Sequence, residues 1–253
     1  LRRRQRQMCI RDRYTGITTM RQPFFFWKVL FILSLFLICV PQVSMATGMQ
    51  PDSSLLLIQE KESGGSMNVT NTDNIPSLLY TQVINVDGED DTIKLLPTQP
   101  VVRVEGGKTQ QVRFILKTEK PLITEHLKRV IFEGIPPKIP GSNKIGITIR
   151  QNLPVLIHPE GLPERKDPWT LLTWHKEGNQ LKVTNPGPYV VRLAQQFVTL
   201  PSKTQFDLGR TYLLPGQHIT LSSASSLTAD NEVRFVPVSR YGVQVSEFIA
   251  SLN

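Results

Sequence analysis

Residues 143–159 read NKIGITIRQNLPVLIHP, with an apolar side chain at every second position of the first half. Ile145, Ile147 and Ile149 take one phase and Lys144, Gly146, Thr148 and Arg150 the other, which is the period of a strand with one apolar edge and not of a helix. Residues 153–157 are apolar almost without a break, as in a strand entering a covered core, and Pro159, Gly161 and Pro163 then end it. A strand of this length commits the chain to a sheet. The isoleucines either fill the core of that sheet or are offered to a partner lacking a strand, by β-augmentation.

The same grammar runs through the rest of the chain. Apolar runs at 55–58, 67–70, 78–86, 92–96, 101–104, 109–116 and 127–132 are separated by Gly, Pro, Asn or Asp, and they predict a first sandwich over residues 47–159. The Pro- and charge-rich stretch 160–168 predicts a stiff exposed linker. Runs at 169–174, 180–184, 189–193, 197–200, 211–214, 218–221, 233–238 and 243–249 predict a second sandwich over 169–253. No stretch of useful length has the helical period, so the expected fold class is all-β, with two immunoglobulin-like β-sandwich domains.

The net charge of +8 would suggest nucleic acid or acidic lipid if it were spread over the fold. It is not. The first 46 residues hold seven Arg and one Lys against one Asp, leaving 21 basic and 20 acidic side chains in the remainder, so no nucleic-acid partner is expected. Residues 1–19 have no apolar period, and their MCIRDR resembles a translated adapter sequence; they are expected to be a non-native segment. Residues 20–46 pair a short basic start with the apolar run VLFILSLFLICV and the small residues Ser44 and Ala46, the pattern of a signal peptide cleaved after Ala46. That predicts secretion, with no membrane anchor after cleavage. Both cysteines, Cys9 and Cys39, fall in the discarded region, so core packing alone would hold the exported chain.

Chemistry-bearing motifs are missing. His126, His158, His175 and His218 have no paired spacing, so no metal site is expected. Gly107-Lys108-Thr109 ends like a phosphate loop, but Val102 stands where that motif needs its first glycine. No GxSxG elbow is present. The expectation is a protein without cofactors that is not an enzyme.

Several motifs in order resemble the periplasmic chaperones of the chaperone–usher pathway, the PapD-like family that assembles pili on Gram-negative bacteria. They are Val69-Thr70-Asn71 with Pro76, Val101-Arg103-Val104-Glu105-Gly106 leading to Gln111-Val112-Arg113, Glu125-His126-Leu127, Ile135-Pro136-Pro137, and in the second half Leu181 to Pro186 with Tyr189, Leu214-Pro215-Gly216 and Tyr241-Gly242. The resemblance implies two sandwiches set in an L or boomerang around a cleft, a periplasmic location, and pilus subunits and an outer-membrane usher as partners. It implies that Ile145, Ile147 and Ile149 are donor residues that complete a subunit by donor-strand complementation, and the short 136–143 spacer is similar to the short-loop subclass. Burying three such side chains contributes roughly 1.5–3 kcal/mol each before ordering costs. Free copies that cap their donor edges by pairing are a further expectation.

The chain departs from the family in two places. Members hold the subunit's terminal carboxylate with two basic residues, whose matches here fall in residues 54–56 and on Pro154, and none of these is basic. Arg150, Gln151, Asn152 and Arg129 are the candidate replacements. The family's interdomain ion network matches Glu125, His158 and Arg240, which predicts that Glu125 pairs with Arg240 across the domains.

Two other classes fit a secreted all-β chain. A pilus subunit or adhesin would lack a closing strand and carry an N-terminal extension, whereas the alternating strand here lies inside the chain. A two-sandwich sugar-binding module would show paired surface aromatics, but Trp169 and Trp174 are five apart, on opposite faces of one predicted strand.

Overall fold

The computed structural model describes residues 48–137 and 148–253, and there the alternation of the sequence becomes alternation of burial. The first domain contains β1 (Met49–Pro51), β2 (Leu56–Gln59), β3 (Gly64–Asn71), β4 (Ser77–Asn85), β5 (Lys94–Pro97), β6 (Val101–Val104), β7 (Thr109–Lys117), β8 (His126–Ile135) and β9 (Arg150–His158). Along β7, Val112, Phe114 and Leu116 are buried while Gln111, Arg113 and Ile115 are exposed, the two faces of a half-covered strand. The hydrogen-bonded order is β5-β7-β3-β2-β9-β8-β4-β6, with β1 on β3, and β2 runs parallel to β9.

This sheet folds over on itself. Phe114 of β7 and Phe132 of β8 are not on neighbouring strands, yet their rings meet edge-on at 6.5 Å. Val69, Leu79, Val130, Val155 and Ile157 fill the same core. The turn into β3 requires glycine at position 64, because a Cβ there would stand 2.1 Å from the Phe114 carbonyl oxygen.

The second domain contains β10 (Thr173–Glu177), β11 (Gln180–Thr184), β12 (Val191–Leu193), β13 (Gln196–Leu200), β14 (Gln205–Asp207), β15 (Tyr212–Leu213), β16 (His218–Ser222), β17 (Glu232–Phe235), β18 (Pro237–Val238) and β19 (Phe248–Ser251). They form antiparallel sheets in the orders β10-β11-β16, β15-β12-β18 and β14-β13-β17-β19. The core centres on Trp174, whose ring lies 5.1 Å from Phe197 and 5.5 Å from Phe235. The fold is therefore all-β with two β domains, as the alternation predicts.

Two local expectations need correction, and one strand has no counterpart among the apolar runs. Trp169 is not on a strand with Trp174: Pro168 opens a 3-10 turn over Pro168–Leu171, and the strand begins at Thr173. The run at 243–249 becomes a strand only from Phe248, because the preceding residues fold back, with Ser239 N–H bonding the Val243 carbonyl and Val245 N–H the Pro237 carbonyl. The short β14 carries one buried apolar residue, Phe206, which is too little pattern to read as a strand.

The two domains share a smaller apolar cluster. Leu55, Val86, Leu127 and Leu156 of the first meet Val190 and Leu214 of the second, with Leu57 and Tyr212 at the margin.

Candidate functional site

The site is built around β9. This strand pairs with β8 along nearly its whole length, from Glu133↔Arg150 to His126↔Ile157, whereas β2 covers only the half beginning at Leu56↔Val155. Among the described residues no strand pairs with the other edge of residues 150–154. An uncovered strand edge presents N–H and C=O groups to any chain that can align with it. Ile149 immediately precedes this edge and is 46% exposed. It shares its phase with Leu153, Val155 and Ile157, which pack into the first core. Beside it opens a groove of about 420 Å³ lined by Met49, Pro51, Ser53, Ile149, Gln151 and Leu153. Ile145 and Ile147, the other two residues of the predicted donor set, lie outside the described residues.

The four candidates for holding a carboxylate are not equivalent. Arg150 Nε donates to Glu133 Oε2 at 2.6 Å, so its charge already has an acid partner. Gln151 lines the groove. Arg129 Nε donates to Asn152 Oδ1 at 2.5 Å and Arg129 Nη2 to the Asn152 carbonyl at 2.6 Å, contacts that satisfy donors without neutralising the cation. In the ladder Arg129 stands directly opposite Pro154.

A charged side chain that the sequence does not single out lies close enough to Arg129 to feel its charge. Arg192 on β12 has a buried Nη1 with no hydrogen-bond partner. A Cβ placed on Gly242 would be 3.7 Å from that nitrogen, 3.3 Å from Ser54 Oγ and 3.7 Å from Leu55 Cβ, so the guanidinium sits beside the start of the first domain. Burial, and then the charge of Arg129, press Arg192 below its ordinary pKa. Its only signal in the sequence is a cation in an apolar strand, which reads as an outward-facing residue.

The interdomain residues are brought together. Glu125, His158 and Arg240 are all buried. Glu125 Oε1 is 2.8 Å from His158 Nδ1 and 4.0 Å from Arg240 Nη2, while Glu125 Oε2 accepts the Val190 amide at 3.0 Å. His158 Nε2 faces the Leu162 carbonyl at 2.9 Å, so both ring nitrogens point at acceptors and a protonated ring donates twice. Arg240 Nη1 also lies 3.6 Å from Glu164 Oε2, yet none of its nitrogens makes a hydrogen bond, so it is held by charge and packing. Among the described residues no group of three His, Cys, Asp or Glu is placed to hold a metal ion.

Comparison with known proteins points one way. Residues 48–163 match the model described as the pili and flagellar-assembly chaperone PapD N-terminal domain, and residues 167–249 match the pili assembly chaperone PapD C-terminal domain. The fimbrial chaperone YhcA of Escherichia coli strain K12 is 47% identical over 210 residues, spanning 83% of this chain and 93% of the relative. The chaperone protein PmfD of Proteus mirabilis is 24% identical over 66% of this chain and 68% of its own length. Among solved structures, a chain of the Salmonella enterica SafA pilin–SafB chaperone complex superposes with a TM-score of 0.66 at 20% identity, covering 83% of this chain and 99% of that one. The YadV chaperone gives 0.64 at 18%, covering 81% and 100%; at these identities the likeness is one of fold.

Proposed function

The chain belongs to the family of pili assembly chaperones, and we propose that it lends the strand running into β9 to a pilus subunit whose own sandwich is one strand short. The observation that carries this reading is the uncovered edge of residues 150–154 beside the half-exposed Ile149. A subunit strand laid along that edge gains ladder hydrogen bonds, and the phase of Ile149, continued back through Ile147 and Ile145, supplies the subunit's missing core residues. No nucleotide or cofactor enters: the subunit keeps part of its folding energy in reserve until another strand replaces the loan. The exchange takes place in the periplasm, at an outer-membrane usher. Without a subunit, the same edge is open to a second copy of the chain. Glu125, His158 and Arg240 fix the angle between the domains, and Arg129 with Asn152 meets the subunit's terminal carboxylate.

The test is co-expression with a pilus subunit encoded beside this chain. The wild type is expected to yield a one-to-one periplasmic complex, and I147D and I149D to yield none while keeping the wild-type circular dichroism and melting temperature. Subunit protection that survives both substitutions overturns the donor-strand role.

A further inference from the structure

At the far end of the first domain's sheet, away from β9, the adjacent strands β5, β7 and β3 turn one face outward. The register orders its side chains. Lys94 stands directly opposite Lys117 and Leu96 directly opposite Ile115, and Arg113 follows Ile115 on the same face of β7. All three cations are exposed, and Leu96 and Ile115 are 45% and 46% exposed. The other outward side chains of these strands are Ser, Thr, Asn and Gln, with no acid among them. None of Lys94, Arg113 and Lys117 makes an ion pair with a described residue.

This arrangement is unfavourable in the free protein and does not follow from overall charge. Like charges directly opposite on a sheet repel, and the aliphatic pair between the lysines and the arginine stays half in water. Residues 47–253 hold 21 basic and 20 acidic side chains, so three cations on a face without an acid are a local concentration. The chemistry of the face narrows the occupant. Protein interfaces rest on anchors, enriched in aromatic side chains, that fill pockets, and no aromatic ring points outward from these strands. Cations on long flexible stems beside short aliphatic chains suit a partner whose negative charge is spread over a plane and whose boundary admits a few methyl groups. The headgroup layer of an anionic bilayer is such a partner.

We infer that the outer face of β5, β7 and β3 rests on an anionic phospholipid surface, with Lys94, Lys117 and Arg113 among the phosphates and Leu96 and Ile115 at the headgroup boundary. The contact is reversible and peripheral, carried by a few charges and two aliphatic side chains. None of these five residues lines the groove beside Ile149, so the chain can lie on a membrane while that groove stays open. The inference rests on the periplasmic location proposed above, where a bilayer lies on either side, and not on strand lending.

The test uses the exported chain, shown by its mass to begin after Ala46, so that the basic leader takes no part. Its co-sedimentation with phosphatidylglycerol vesicles and with phosphatidylcholine vesicles is compared at low salt. Wild type is expected to partition roughly a hundredfold more strongly onto the anionic vesicles, from three cations near the surface, and to be released by high salt. K94Q/K117Q is expected to lose about thirtyfold of that preference and R113Q about fivefold, both with the wild-type melting temperature. L96S/I115S is expected to bind anionic vesicles several-fold more weakly than wild type. K182Q removes an exposed charge from β11 in the second domain and is expected to bind as wild type does. Equal partitioning of wild type onto the two lipids, a preference retained in K94Q/K117Q, or a loss in K182Q equal to that in R113Q overturns the inference. Sedimentation equilibrium of the free chain decides the rival occupant: a dimer that K94Q/K117Q splits into monomers would assign the face to a second copy and reject the bilayer.

Discussion

Glu125 of the first domain accepts the backbone amide of Val190 in the second at 3.0 Å, while its other oxygen lies between His158 and Arg240. One buried carboxylate thus serves a backbone donor and two potential cations. Glu125→Ala strips the Val190 amide and His158 Nδ1 of their acceptor and leaves Arg240 only the exposed Glu164, and it is expected to destabilise the fold by about 3–5 kcal/mol, measured by urea unfolding. In a double-mutant cycle of E125Q with R240M, a coupling energy clearly different from zero is expected, since the 4.0 Å separation lies in a water-poor setting. Additive effects would show that Arg240 answers to Glu164 instead.

The acid limb of the stability profile is expected to depend on Glu89. Burial pushes its carboxyl up, but His126 Nδ1 at 2.7 Å, the Leu127 amide at 2.7 Å and the Asp90 amide outweigh burial and hold it below its ordinary value. A depressed folded-state pKa contributes stability that is complete above the unfolded carboxylate value of about 4.3 and is lost as pH falls through the lower folded value. Urea midpoints of wild type should therefore fall as pH drops below about 4.3, and E89Q should be less stable at neutral pH with a flatter acid limb. Parallel profiles for the two proteins would contradict this.

Asn71 and Asn185, both fully buried, each close a turn after a Val-Thr pair, one in each domain. Asn185 Nδ2 donates to the carbonyls of Tyr189, Leu213 and Leu214, and its Oδ1 accepts the Gly187 amide; Asn71 does the same with Ile75, Val104 and Asp73. Replacement by leucine keeps the volume and strips the partners. The expected loss is about 1–3 kcal/mol for each backbone group left buried and unpaired, seen as a lower melting temperature for N71L and N185L. Unchanged melting would show that water reaches these turns.

Periodicity carried most of the fold. The runs at 101–104 and 180–184 became strands with the same bounds, because each alternates cleanly between turn residues. Where the pattern was thin it misled: Trp169 and Trp174 look like one strand until Pro168 sets a turn, and β14 has a single apolar side chain to announce it. The site was harder to see. That Arg129 faces Pro154 depends on the register of β8 against β9, and that Arg192 approaches Ser54 depends on how the second domain meets the first; neither is a local property of the sequence.

The leucines and valines that Leu55, Leu127, Leu156, Val190 and Leu214 contribute to one another have a practical corollary. Severing the chain within residues 159–167 would leave each fragment with a wet, oily seam where its sibling used to be. Expression of either half by itself should therefore give sticky, poorly behaved material, and ligand studies need the uncut polypeptide.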